Sequence, residues 1–172
     1  MILGISVAAF TATHVILSLI ALLSGVVVVR DLLQSRVPAG ITALFLLATF
    51  ATSAGGFLFD SKQIGPGHYT GALSLAILLP TAVAIYGLRL TGPWRWIYTV
   101  GALAVFYLNA LIAVIQTFIK VPVLRPFATS LTAPALVLAQ LALLALFVGL
   151  GGLAVKRFHP QNPHVSGLLL SI

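Results

Sequence analysis

The chain is poor in charge. Its 172 residues include nine Lys or Arg and only two Asp or Glu, whereas a soluble domain carries about a quarter of its residues as charges. That shortage excludes an ordinary water-exposed surface. Cysteine is absent altogether, which excludes disulfides, thiolate chemistry and Cys-ligated metal. The two acids, Asp31 and Asp60, each sit at the end of an apolar run. There is thus no carboxylate pair for general acid–base work and no acid placed to carry a proton within the bilayer. No Cys–His or Ser–His–Asp set stands out, so the expectation is a protein that is not an enzyme.

What the chain has instead is long apolar stretches; 60% of its residues are hydrophobic. Five runs are long enough to cross about 30 Å of hydrocarbon at about 1.5 Å per residue. They are Gly4 to Val29, Ile41 to Phe59, His68 to Leu88, Trp96 to Ile119 and Leu131 to Val155. Helices are the assignment that satisfies the backbone in lipid, and no apolar–polar alternation supports a barrel. The expected fold is an all-α integral membrane protein, a five-transmembrane-helix bundle over residues 1–157 with a short tail over 158–172. The first run is long enough to span and reads as a retained helix, not a signal peptide. Connections of about six to eleven residues make sequence neighbours pack antiparallel. Pro80 predicts a kink, and Pro134 a kink or a helix start. Small residues at Gly4, Ala8 and Ala12, at Gly55 and Gly56, and at Gly149, Gly151 and Gly152 permit close helix approach. The apolar end Gly167 to Leu170 is too short to span and is expected on the membrane surface or docked on the bundle.

The net charge of +7 reads as topology. One side of the membrane receives Arg30, Arg36, Arg89, Arg95, Lys156 and Arg157; the other receives Lys62, Lys120 and Arg125. The positive-inside rule then puts the N-terminus outside and the C-terminus in the cytoplasm. Trp94, Trp96 and Tyr98 fall where an inner aromatic belt belongs. Basic residues at helix ends anchor to headgroups, so no nucleic-acid partner is expected; the partners are membrane lipids and either a second copy or another membrane protein.

Polar side chains within the runs are the remaining clues. His14, Ser18, Ser53, Ser74, Asn109, Gln116 and Gln140 fall in the outer half to middle of the bilayer, and the inner half reads as nearly pure aliphatic. His14 and Ser18 share a helix face, as do Asn109 and Gln116. Groups at that depth face the protein, because lipid leaves them unsatisfied. Two readings stay open: hydrogen-bonded glue between helices, each bond worth about 0.6 kcal/mol, or a ligand pocket opening outward. His14 and His68 raise the possibility of haem b. An axial offset of about 10–15 Å between them argues against a bis-histidine haem, and no cofactor is expected. His159 and His164 lack an acidic partner, so no metal site is expected there.

Several stretches carry a resemblance. They are Ala51-Thr52-Ser53 with Gly56-Phe57, Gly67-His68 with Gly71, Trp94 to Tyr98, Tyr107-Leu108-Asn109, Gln116 with Phe118, Lys120 and Pro122, Gln140, and Phe147 to Gly151. With these the chain resembles an uncharacterised family of small multi-pass bacterial, largely proteobacterial, inner-membrane proteins, from His14 onward. Similar sequences tend to carry an acid in the last outer loop, where this chain has Ser130 to Pro134. The resemblance implies location in the inner membrane of a bacterial cell. The expected function is a non-catalytic interaction or assembly component, as a homo-oligomer or an accessory subunit. The alternatives are a protein binding haem b, a quinone or a lipid in its polar outer half, and a small transporter or channel.

Overall fold

The computed structural model describes residues 1–2, 4–59 and 65–159, and within them the chain is helical with no sheet. The long helices are α1 (Val7–Leu33), α2 (Ala39–Gly56), α3 (Pro66–Ala82), α4 (Trp94–Lys120) and α5 (Pro134–Arg157). Each is long and apolar enough to cross a membrane once α3 is counted with the π turn Val83–Gly87 that continues it. The protein is therefore a multi-pass membrane protein built as a helical bundle.

Local chemistry explains where the helices depart from the apolar runs. α1 begins at Val7 rather than Gly4 because Ser6 caps it, its Oγ accepting the Ala9 N–H at 3.2 Å. Before it, Ile2 and Ile5 close a tight turn through two backbone hydrogen bonds of 3.0 and 3.1 Å. α1 then continues through Arg30 and Asp31 to Leu33, about 40 Å in all, so charge at its end does not stop it. Asp31 is thus buried in the last turn instead of flanking the helix. Pro134 starts α5, at a position where its missing N–H costs nothing. Pro80 lies inside α3, and the helix widens after it into the π turn, with Leu88 N–H bonding Val83 C=O. Arg89 and Leu90, at φ 49° and 58°, then reverse the chain.

Side-chain contacts set the register. His14 lies beside Gly55, Ser53 beside Gly71, and Thr81 beside Gly101, so α1, α2, α3 and α4 run alternately up and down. α5 lies antiparallel to α4, with Phe147 against Phe106 and Tyr107, and Phe158 against Tyr98. One end of the bundle carries Gly56, Pro66 and Lys120; the other carries Arg36, Arg89 and Arg157. They are called here the Lys120 end and the Arg89 end.

The core sits in the Arg89 half. Val28, Leu32, Phe45, Ile85, Tyr98, Ala102, Val105 and Phe106 form one contiguous cluster there. That half is not purely aliphatic: Ser24, Asp31, Thr42, Thr81 and Thr99 are also buried in it. Ser24, Thr81 and Thr99 are tolerated because each hydroxyl donates to a carbonyl one turn back in its own helix. Phe158, the first residue of the expected tail, is fully buried. Ser35 Oγ donates to Arg157 C=O and accepts the His159 N–H at 3.0 Å. Asp60, Lys62, His164 and Gly167 to Leu170 lie outside the described residues.

Candidate functional site

α1 and α4 meet closely at one level and part above it. A Cβ on Gly25 would lie only 2.6 Å from the Phe106 ring, so glycine is what lets the helices touch there. The Phe106 ring is itself fixed edge-on by Phe45 at 6.2 Å and Phe147 at 5.1 Å. Toward the Lys120 end, the space between α1 and α4 becomes a cavity of about 620 Å³, within the range of small-molecule sites. Leu22 and Leu108 line its deep end.

α2 and α3 form the back wall. They approach through Gly71, where a Cβ would lie 3.3 Å from the Ser53 carbonyl. Ser53 and Ser74 line this wall and are 7% and 2% exposed. Lining residues on the α1 and α4 side are open: Val15 and Leu19 are 42% and 53% exposed, and Gln116 and Lys120 are also exposed. The opening therefore lies between α1 and α4 and extends to the Lys120 end of the bundle, where Gly67, Lys120 and Val121 are exposed.

Of the seven polar residues singled out in the sequence, the cavity brings together His14, Ser18, Ser53, Ser74, Asn109 and Gln116. Gln140 stands apart on α5, which contributes nothing to the lining. The His14 ring stands edge-on to Phe59 at 5.2 Å, and its Nδ1 faces Gly55. Ser18 Oγ donates to His14 C=O at 2.8 Å, which leaves its lone pairs toward the cavity. Asn109 Nδ2 donates to Thr49 Oγ1 at 3.1 Å, a link between α4 and α2 of the glue type. Asn109→Leu is accordingly expected to cost about 0.6–1.7 kcal/mol of stability, measured by unfolding in detergent. A loss well above that range would mean that Asn109 holds more of the bundle than one hydrogen bond.

The sequence reading passed over Thr11, Thr52 and Lys120 as site residues, and all three line the cavity. Thr52 Oγ1 is sealed from solvent and has no hydrogen-bond partner among the described residues. Its adjacency to Ser53 was the available signal; Lys120 read as an ordinary membrane anchor.

His68 also lines the cavity, and the argument from depth against a His14–His68 haem does not survive the register. His14 faces Gly55, Gly71 faces Ser53, and His68 is one turn from Gly71. The two imidazoles thus lie within about one turn, ~5 Å, of the same depth. A different observation argues against the ligand pair. His68 Nδ1 accepts the Gly65 N–H at 3.2 Å while His68 N–H bonds Gly65 C=O at 3.0 Å, closing the start of α3. Binding iron through Nε2 would require the imidazole proton on Nδ1, at the cost of the Gly65 hydrogen bond that closes the helix start. The expected result of a pyridine haemochrome assay on protein expressed with haem precursor is no stoichiometric haem. A haem signal lost in both His14→Ala and His68→Ala would reverse that expectation.

Chemically, the described lining offers hydroxyls, amides, imidazoles and one ammonium over an otherwise apolar surface, with no carboxylate among the described lining residues. It can hold an amphipathic molecule. No group of three or more His, Cys, Asp or Glu placed to hold a metal occurs among the described residues. Comparison with protein-family models, with curated proteins and with solved structures finds no match to this chain.

Proposed function

We propose that this protein binds a small amphipathic molecule in the cavity between α1, α2, α3 and α4, and that it does so without catalysis. The observation that carries this reading is convergence: six polar side chains from four helices line one cavity of about 620 Å³. Glue alone would consume such groups in hydrogen bonds between helices. Native mass spectrometry of the purified protein tests the proposal. One adduct of a few hundred daltons per chain is the expected result; bare protein across mild detergents would contradict it.

Conduction through one protomer has less support, because the cavity ends at the Gly25–Phe106 contact and a conducting path needs a continuous polar lining. An assembly role has one supporting feature. On α5, Gly149 and Gly152 have open space above them and Leu138, Leu141, Val148 and Leu153 are exposed, a face that a second copy or lipid covers. The resemblance noted above and the asymmetry of basic residues support a bacterial inner-membrane location with the Lys120 end outside. Labelling single cysteines placed at Ser6 and His159 from one side of the membrane tests the orientation; both reacting from the same side would overturn it.

A further inference from the structure

We propose that the bound molecule is an anionic lipid-like amphipath, its acidic oxygen headgroup held at the cavity mouth by Lys120 and its chain lying along the α1–α4 opening. This rests on the ligand-binding reading above and names the ligand class.

Charge is the first argument. Among the described lining residues Lys120 is the one full charge, and none of them is an acid. Among the described residues it has no carboxylate partner; the sole acid described, Asp31, is buried at the Arg89 end. A second cation is pinned beside it: Arg125 Nε donates to Ile119 C=O at 3.2 Å, folding the guanidinium back over the end of α4. A cation on the mouth with a second one at the same helix end, and no carboxylate beside them among the described residues, attracts an anion and repels a cation.

The shape of the opening is the second argument, and it selects a membrane source over a soluble one. The mouth is flanked by the exposed apolar side chains of Val15 and Leu19 on α1, and Ile112 lines the facing wall of α4. A molecule entering there comes from the leaflet, with its chain against those residues. Beneath the rim, the Ser18 and Ser53 hydroxyls suit the ester or hydroxyl oxygens that follow a charged headgroup.

The test is titration of the purified full chain, in neutral detergent, with phosphatidylglycerol and with phosphatidylcholine of the same acyl chains, read by native mass spectrometry. Glycerol phosphate serves as the soluble control. Wild-type protein is expected to bind phosphatidylglycerol at least about fivefold more tightly than phosphatidylcholine, the effect of about one surface charge. Lys120→Gln is expected to remove that preference, weakening phosphatidylglycerol binding more than phosphatidylcholine binding. Lys120→Arg is expected to keep the preference, and glycerol phosphate is expected not to bind. Ser74→Phe, which fills the cavity, is expected to lose both lipids. Equal binding of the two lipids to wild type, with both lost in Ser74→Phe, overturns the anionic ligand and leaves the ligand-binding reading standing. A preference that survives Lys120→Gln or Ser74→Phe reports lipid around the whole bundle and overturns the assignment to this mouth. Binding of glycerol phosphate as tight as that of the lipid overturns the membrane source. Specific binding of neither lipid, nor of any co-purified amphipath, overturns the ligand-binding reading itself.

Discussion

Gly25→Leu is expected to destabilise the bundle by about 1–3 kcal/mol, the usual cost of overpacking, or to prevent folding altogether. A Cβ there already lies 2.6 Å from the Phe106 ring, well inside contact distance. The ring cannot swing aside, because Phe45 and Phe147 stand edge-on to it, and all three side chains are buried in the main core. Relief must come from moving α1 off α4, which also opens the floor of the cavity. Gly149→Leu is the control. Nothing lies within 4 Å of a Cβ at that position, so the monomeric bundle is expected to tolerate it, and loss of glycine favours the helix. Unfolding in detergent measures both. Equal stability of Gly25→Leu and wild type would mean that the α1–α4 contact is not as close as described. A large loss in Gly149→Leu would show that the α5 face is covered by another chain, as the assembly reading holds.

Ser74→Phe is expected to leave the fold intact and to remove the bound ligand. Ser74 is only 2% exposed, yet it lines a space of about 620 Å³. Only the edge of Ser74 meets that space, so the added ring reaches the cavity from a packed wall and a cost of about 1–3 kcal/mol is expected. The adduct seen by native mass spectrometry is expected to disappear. Leu79→Phe, on the same helix at a position 70% exposed, is expected to keep it. Retention of the adduct in Ser74→Phe would place the ligand elsewhere on the protein.

The helices were legible because hydrocarbon thickness dictates their length and the backbone cannot be left unpaired in lipid. Their ends were not, because they depend on single side chains. Ser6 caps α1 three residues later than the apolar run begins, and Pro134 starts α5 three residues after Leu131. The candidate site was legible as a depth layer: apolar surroundings single out His14, Ser18, Ser53, Ser74, Asn109 and Gln116, and the structure puts all six on one cavity. Gln140 shares their depth and not their cavity, because depth says nothing about which neighbour a helix faces. Lys120 was read as an anchor for the same reason. The relative depth of His14 and His68 was misjudged because it depends on where α1 and α3 begin, and a few residues there shift a side chain by about a helical turn.

The central claim is that the polar layer surrounds a reachable cavity. Because the chain has no cysteine of its own, a single introduced cysteine reports cleanly on this. Ser18→Cys, Ser53→Cys and Ser74→Cys would each be treated with a small water-soluble thiol reagent, beside Leu138→Cys on the exposed face of α5. All three cavity cysteines are expected to react from the Lys120 side and to be slowed by phosphatidylglycerol, while Leu138→Cys stays inert in lipid. Cavity cysteines as inert as Leu138→Cys, with and without added lipid, would contradict the account and leave the polar layer as helix packing alone.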